Sequence, residues 1–294
     1  MLNDMIFDIF IINGKIIDAS ILEIDEKQMA HAVYEVVRII DGIPLFLEDH
    51  IDRLRSSMAN TGFTVEQISF FDVNAVSKYI KQLKERYGKN NFNVKLSILK
   101  ELQKNDFSAD LLENSNSLNL VWILYVSKSC YPSEKEVEQG LPVTMIEVER
   151  QNPNSKVLKL DYKARVSEAL SNSGVFEVLL VNKERYITEG SRSNVFFVKG
   201  ETVYTAPGEL VLKGITRKYV IQACRNLGLK VVEKAVHKED LFSFDGVFLS
   251  GTSIKVQPVS EIDGHKINSG SNKTIRMIKE EFDKIIQNYV NAKM

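Results

Sequence analysis

Residues 186–198, Tyr-Ile-Thr-Glu-Gly-Ser-Arg-Ser-Asn-Val-Phe-Phe-Val, constrain the fold more than any other stretch of this chain. Two apolar runs with the composition of buried strands flank a polar hinge holding one carboxylate, one glycine and two serines. A carboxylate at the end of a buried strand needs a partner, because an isolated buried charge costs more than folding can supply. A protonated ring nitrogen on a bound ligand is one such partner for Glu189. Gly190 lets the backbone pass close to a ligand, and the hydroxyls and amides of Ser191, Ser193 and Asn194 can hold ligand oxygens. A β-hairpin with an ordinary polar turn would look the same in isolation, so the meaning of the hinge depends on what else the chain carries.

With 294 residues the chain has room for two cores. Thirty-eight basic against thirty-nine acidic side chains leave no field that would draw nucleic acid or an anionic membrane. Cys130 and Cys224 match neither a zinc spacing nor a redox pair and read as free thiols in a reducing compartment. The N-terminal residues carry Asp4 and Asp8 without a basic leader, and no apolar run approaches the ~20 residues needed to cross a bilayer. A cytoplasmic protein with no metal site is expected.

Strand and helix patterns alternate irregularly along the chain. Residues 5–13 and 15–17 pair through Asn13-Gly14, a strong hairpin signal. Residues 33–40 form an apolar strand with Tyr34, Glu35 and Arg38 embedded in it. Residues 48–60 switch to helical spacing, with Ile51, Leu54 and Met58 on one face. A second helix over 73–87 starts at an Asp72 cap and stops at Gly88. Strands follow at 92–99 and 118–126, with a polar, turn-rich segment over 100–117 between them. Residues 127–139 read as a linker. The second half has strands at 143–148 and 176–181, the hinge, and strands at 202–205, 230–236, 247–250 and 257–259. Its helices cover 162–173 and 216–227, and a final amphipathic helix carries Ile275, Ile278, Phe282, Ile286 and Tyr289. The pattern predicts a mixed, mostly antiparallel α+β protein: a small N-terminal α/β domain over 1–126, a linker over 127–139 and a larger C-terminal domain over 140–294.

Four further pieces fit a phosphorylated ligand. At Gly214-Ile215-Thr216-Arg217 a helix begins, so free backbone N–H groups and the helix dipole face outward, where a phosphate is a natural occupant. A simple Thr216 N-cap is the plainer account. Gly251-Thr252-Ser253 forms a small-residue turn after a buried strand. Arg53, one helical turn beyond His50, can grip a phosphate bidentately, or pair with Asp49 or Asp52. Lys156, between Asn152-Pro153-Asn154-Ser155 and Val157-Leu158, can be desolvated, which favours the neutral amine that Schiff-base chemistry requires. A snorkelling surface lysine is the alternative.

Taken together, Val33-Tyr34-Glu35-Val36-Val37-Arg38, His50 to Arg53-Leu54, Lys156, Thr188-Glu189-Gly190-Ser191-Arg192-Ser193-Asn194, Gly214-Ile215-Thr216-Arg217 and Ser250-Gly251-Thr252 resemble the class IV aminotransferases. These are the fold-type IV pyridoxal-phosphate enzymes, with branched-chain and D-amino-acid aminotransferases and aminodeoxychorismate lyases among them. The resemblance spans about residues 5–290. It implies a two-domain fold with pyridoxal 5′-phosphate between the domains, and a homodimer. It implies that Lys156 forms the Schiff base and then shuttles the proton between Cα and the cofactor. Glu189 would pair with the pyridine nitrogen and keep the ring an electron sink. Arg53, Ile215, Thr216, Gly251 and Thr252 would hold the phosphate, and Tyr34 would sit near the cofactor and the substrate carboxylate.

The match has departures. Ala30-His31-Ala32 stands where members often carry a Gly-Asp-Gly-like triplet, and Lys159 and Asp161 stand where an Asn is usual, which makes Lys159 the rival Schiff-base lysine. None of the four histidines lies two residues after an arginine, so the Arg-x-His pair of D-amino-acid enzymes is missing. The reading is a transaminase moving an amino group between an amino acid, branched-chain or aliphatic, and a 2-oxo acid, with a 4-amino-4-deoxychorismate lyase as the alternative.

Overall fold

The computed structural model describes residues 4–20, 26–100, 120–129, 131–150 and 152–294. Beyond Lys100, the polar segment expected over 100–117 lies outside these residues, as does Cys130. The chain divides into two compact units. The first comprises Met1–Ser129, Ser155–Leu160 and Tyr289–Met294, and the second Cys130–Asn154 and Asp161–Asn288.

The first unit is built on a six-stranded antiparallel sheet in the order β2-β1-β6-β5-β3-β4. Its strands are β1 (Met5–Ile12), β2 (Lys15–Asp18), β3 (Val33–Ile40), β4 (Ile43–Pro44), β5 (Phe92–Leu99) and β6 (Val121–Ser127). Asn13 and Gly14, at φ 48° and 86°, make the mirror-image turn that matches strand twist in a two-residue hairpin. Helices α1 (Leu47–Asn60), α2 (Val65–Ser69) and α3 (Val73–Tyr87) complete the unit. Ile51, Leu54 and Met58 of α1 and Val76, Ile80 and Leu83 of α3 pack with Val37, Leu96 and Trp122 of the sheet in one buried cluster. Each such side chain contributes about 1.5–3 kcal/mol. Period-2 alternation in β3 sends Val33, Glu35, Val37 and Ile39 to this buried face, while Tyr34, Val36 and Arg38 stay half-exposed on the other.

Helix α1 starts without a side-chain cap of its own, behind Phe46 at φ 50°. The Tyr289 hydroxyl takes that place: it accepts from the Leu47 N–H at 3.3 Å and donates to Glu48 Oε2 at 2.6 Å. Lys293 adds an ion pair to Glu48.

The second unit is built on a ten-stranded mixed sheet, in the order β12-β11-β10-β14-β15-β7-β8-β9-β13 with β16 paired to β15. Those strands are β7 (Leu141–Glu147), β8 (Glu177–Val181), β9 (Tyr186–Gly190), β10 (Asn194–Lys199), β11 (Thr202–Thr205), β12 (Lys230–Glu233), β13 (Val236–His237), β14 (Gly246–Gly251), β15 (Lys255–Ile262) and β16 (His265–Lys266). The pairs β7–β8, β7–β15 and β11–β12 are parallel and the others antiparallel. Helix α4 (Glu134–Gln139) occupies part of the segment expected as linker, and its capping box, Ser133 with Glu136, explains why it forms. The remaining helices are α5 (Leu160–Ser173), α6 (Ile215–Asn226) and α7 (Lys273–Lys293). Phe196 of β10 and Phe248 of β14 stack in parallel with centroids 4.8 Å apart, and both are fully buried. Among the described residues no helix is long and apolar enough to cross a membrane.

Candidate active site

In the first unit the residues expected to do chemistry lie around β3. The segment carrying Lys156 runs along this strand: Tyr34 N–H donates to the Lys156 carbonyl at 3.0 Å, Leu158 N–H to Ala32, and His31 N–H to Leu158. The Lys156 N–H is held in turn by the Ser57 hydroxyl of α1 at 3.1 Å. This backbone anchoring sets the Lys156 ammonium 4.9 Å from the centroid of the Tyr34 ring. Lys95 of β5 lies over the same ring at 5.2 Å and pairs with Asp4 at 2.8 Å. The structure therefore brings Lys156 and Tyr34 together.

Arg53, read from the sequence as a phosphate grip or else a partner of Asp49 or Asp52, pairs with Glu35. The guanidinium donates from Nε to Oε1 at 2.8 Å and from Nη2 to Oε2 at 2.6 Å, and Glu35 Oε2 also takes His50 Nδ1 at 2.8 Å. Glu35 is 1% exposed. Burial pushes its carboxyl up, but the Arg53 charge, the Arg53 and His50 hydrogen bonds and the His50 charge outweigh it, and its pKa falls from 4.5 to about 2. Burial lowers His50, and the Arg53 and Lys156 charges add to this, so the Glu35 contacts do not keep it charged. The contact is thus a neutral imidazole donating Nδ1–H to a carboxylate, although its geometry is that of an ion pair. The sequence signals half of this cluster: a glutamate in the inward register of a half-buried strand demands a cation, but not which one.

In the second unit the turn over residues 189–194 sits where β9, β10, β14 and the start of α6 converge. Glu189 is 2% exposed and held by the protein through both oxygens: Arg150 Nε donates to Oε1 at 2.8 Å and Leu212 N–H to Oε2 at 3.1 Å. Arg150 also reaches the Ser191 carbonyl at 3.1 Å and stacks over Tyr162, whose hydroxyl donates to the same carbonyl at 3.2 Å. The buried charge of Glu189 therefore has an arginine partner, and its burial alone does not demand a ligand. Arg150 and Tyr162 were not among the expected site residues, because nothing local in their sequence surroundings ties them to a turn about 30–40 positions on.

Ser191 and Ser193 were expected to offer hydroxyls to ligand oxygens, but both donate to Glu177, a fully buried carboxylate at the start of β8. Asn194 likewise spends its amide on the Leu212 carbonyl at 2.9 Å. Gly190 has to be glycine for this arrangement, since a Cβ there would lie 2.1 Å from Ser193 Oγ and 3.3 Å from Glu177 Cγ. We expect Gly190→Ala to cost about 1–3 kcal/mol in unfolding free energy, read from urea midpoints. An unchanged midpoint would show that the turn relaxes without strain.

Thr216 is not the cap of α6. Gly214 is the N-cap, with no side-chain hydrogen bond, and Ile215 and Thr216 form the first turn. Gly214 is also a site of close approach: a Cβ would lie 2.1 Å from Asn194 Oδ1. Across the sheet Asn194 pairs with Ser250, and Gly251 follows Ser250 at the end of β14. Ser250 is 1% exposed, and its hydroxyl has no hydrogen-bond partner among the described residues. An uncapped helix N-terminus, an orphaned buried hydroxyl and glycines at close approaches suit a small anionic ligand such as a phosphoryl group. Among the described residues there is no cluster of side chains fit to hold a metal ion.

Comparison with known proteins gives a family. The family described as "Amino-transferase class IV" matches residues 32–262. A D-alanine aminotransferase of Bacillus licheniformis is 32% identical over 267 residues, covering 88% of this chain and 90% of that protein. A branched-chain-amino-acid aminotransferase of Pseudomonas aeruginosa is 30% identical over 151 residues, 49% of each chain. Two solved structures share the fold. The T.th. branched-chain amino acid aminotransferase with pyridoxamine 5′-phosphate superposes with a TM-score of 0.79 at 23% identity, covering 97% of this chain and 96% of that one. The branched-chain aminotransferase of Thermoproteus uzoniensis with norvaline gives 0.77 at 20% identity, covering 96% and 95%.

Proposed function

The chain belongs to the class IV aminotransferases, and from that premise we propose that it uses pyridoxal 5′-phosphate to move an amino group from an aliphatic amino acid to a 2-oxo acid. The observation that carries the reading is the convergence at the end of the second sheet. There a buried carboxylate anchored by Arg150 lies close in the fold to an uncapped helix N-terminus and an unsatisfied buried hydroxyl. A phosphoryl tail would account for the helix N-terminus and the hydroxyl, and a polar ring beside it for the carboxylate.

When bound, the cofactor supplies an aldehyde that captures the amine and a ring that draws electrons from Cα. The chain's residues do the rest. The Lys156 amine would bond the aldehyde carbon with loss of water, and once displaced by substrate would carry the proton to and from Cα. Its backbone, pinned to β3 and Ser57, limits the directions from which that amine can approach. Glu189, oriented by Arg150 and the Leu212 amide, would pair with the ring nitrogen. Arg53, steadied by Glu35, and the backbone amides of Ile215, Thr216, Gly251 and Thr252 balance the phosphate charge. Tyr34, its ring beside Lys156, orients the substrate carboxylate.

Branched-chain or other aliphatic amino acids suit Val36, which shares the half-exposed face of β3 with Tyr34; Val33, fully buried on the other face, does not line that site. The D-alanine enzyme among the relatives keeps the D-series in play, although the Arg-x-His pair is lacking. A cytoplasmic homodimer completes the reading, and sedimentation velocity checks the dimer. Borohydride reduction of the cofactor-loaded protein, followed by peptide mapping, is expected to fix the label at Lys156, and attachment at Lys159 would move the role there. A screen of L- and D-amino acids against several oxo acids then gives the donor. Protein that stays colourless with ample cofactor, or that releases pyruvate and 4-aminobenzoate from aminodeoxychorismate without an acceptor, would overturn the proposal.

A further inference from the structure

Glu177 opens β8 with its side chain turned onto the 190–193 turn and is 1% exposed. Oε1 accepts from the Val178 N–H at 2.8 Å and from the Ser191 hydroxyl. Oε2 accepts from the Arg192 N–H at 3.2 Å and the Ser193 hydroxyl at 3.0 Å. Four donors on two oxygens make a site built for a carboxylate, because an amide in its place would turn an N–H₂ group toward at least one fixed backbone N–H. The absence of a Cβ at Gly190 leaves room for the carboxylate.

The turn passes this constraint on. Ser191 holds Glu177 through its hydroxyl, while its carbonyl takes hydrogen bonds from Arg150 Nη2 at 3.1 Å and Tyr162 Oη at 3.2 Å. Arg150 in turn holds Glu189 through Nε at 2.8 Å. A continuous chain of hydrogen bonds therefore runs from Glu177 through one residue of the turn to the carboxylate of Glu189. Buried polar networks of this kind rigidify only when every member is satisfied.

We propose that Glu177 is a positioning residue: acting through Ser191, it fixes Arg150 and Tyr162 and thereby aims Glu189 at the cofactor's ring nitrogen. This rests on the assignment of Glu189 above and adds that the serines of the hinge serve the aim of that carboxylate. Neither hydroxyl holds the ligand.

The test compares binding of pyridoxal 5′-phosphate with its 1-deaza analogue, in which carbon replaces the ring nitrogen, by absorbance titration. Wild-type protein is expected to prefer the natural cofactor by roughly tenfold or more, the range for a hydrogen bond to a charged group. Glu177→Gln and the milder Ser191→Ala are expected to lose most of that preference while binding of the deaza analogue changes little. A carboxylate that merely stapled the fold would weaken both ligands alike and leave the ratio intact, which would overturn the proposal. If Glu177→Gln does not fold, Ser191→Ala decides on the same ratio. If wild-type protein binds the two equally, Glu189 does not face the ring nitrogen and the proposal falls with that assignment. If wild type discriminates and the variants still do, the proposal alone falls.

Discussion

If Lys156 has the role proposed above, replacing it by alanine is expected to lower amino-group transfer by at least about a thousandfold, because one side chain would then supply both the covalent capture and the mobile proton. The backbone of Lys156 is bonded to Tyr34 and Ser57, and alanine leaves both bonds in place. The variant is therefore expected to melt within a few degrees of wild type and to take up cofactor without fixing it under borohydride. The loss belongs to the conversion of bound substrate, so single-turnover rates with saturating amino acid are the measurement. A Lys156→Ala protein within tenfold of wild type, alongside an inactive Lys159→Ala, would hand the role to Lys159.

The second large effect lies in the stability of the first unit. Glu35 titrates near 2 in the fold and near 4.5 when unfolded, which contributes roughly 3 kcal/mol at neutral pH. A depressed carboxyl stabilises above its unfolded pKa and loses that contribution as pH falls from about 4.5 toward 2. His50 acts in the same direction and earlier: its pKa is lowered from 6.5, so the unfolded chain binds its proton first and stability starts to fall below about pH 6.5. Urea midpoints taken between pH 8 and pH 3 are expected to decline in these two stages. Glu35→Ala, which removes the carboxylate from a partly buried guanidinium, is expected to cost about 3–5 kcal/mol at pH 7 and to flatten the lower stage. Equal pH dependence in wild type and variant would show that Glu35 is not the group responsible.

Elements set by local pattern were legible before any coordinates. The Asn13-Gly14 hairpin, β3, β5 and α3 with its Asp72 cap all fall where periodicity and capping chemistry put them. Helices α2 and α4 carried readable signals too, the capping boxes Thr64 with Gln67 and Ser133 with Glu136, but each is so short that no apolar stripe supports it. Side-chain partners were the unreadable part. That Glu189 meets Arg150, that Glu35 meets Arg53, and that Ser191 and Ser193 turn toward Glu177 are consequences of strand neighbours and turn geometry. A serine after a glycine has the same letters whichever way its hydroxyl points. Sequence could mark the hinge as special, but only the fold decides which of its oxygens are already spoken for.

The hydroxyl of Tyr289 at the head of α1 ties the start of the first unit to a residue 242 positions downstream. At translation speeds of ~5–20 residues per second, α1 leaves the ribosome on the order of ten seconds or more before that hydroxyl exists. The earliest α-helix to emerge is thus among the last to be finished, since the hydroxyl at its head arrives only with α7.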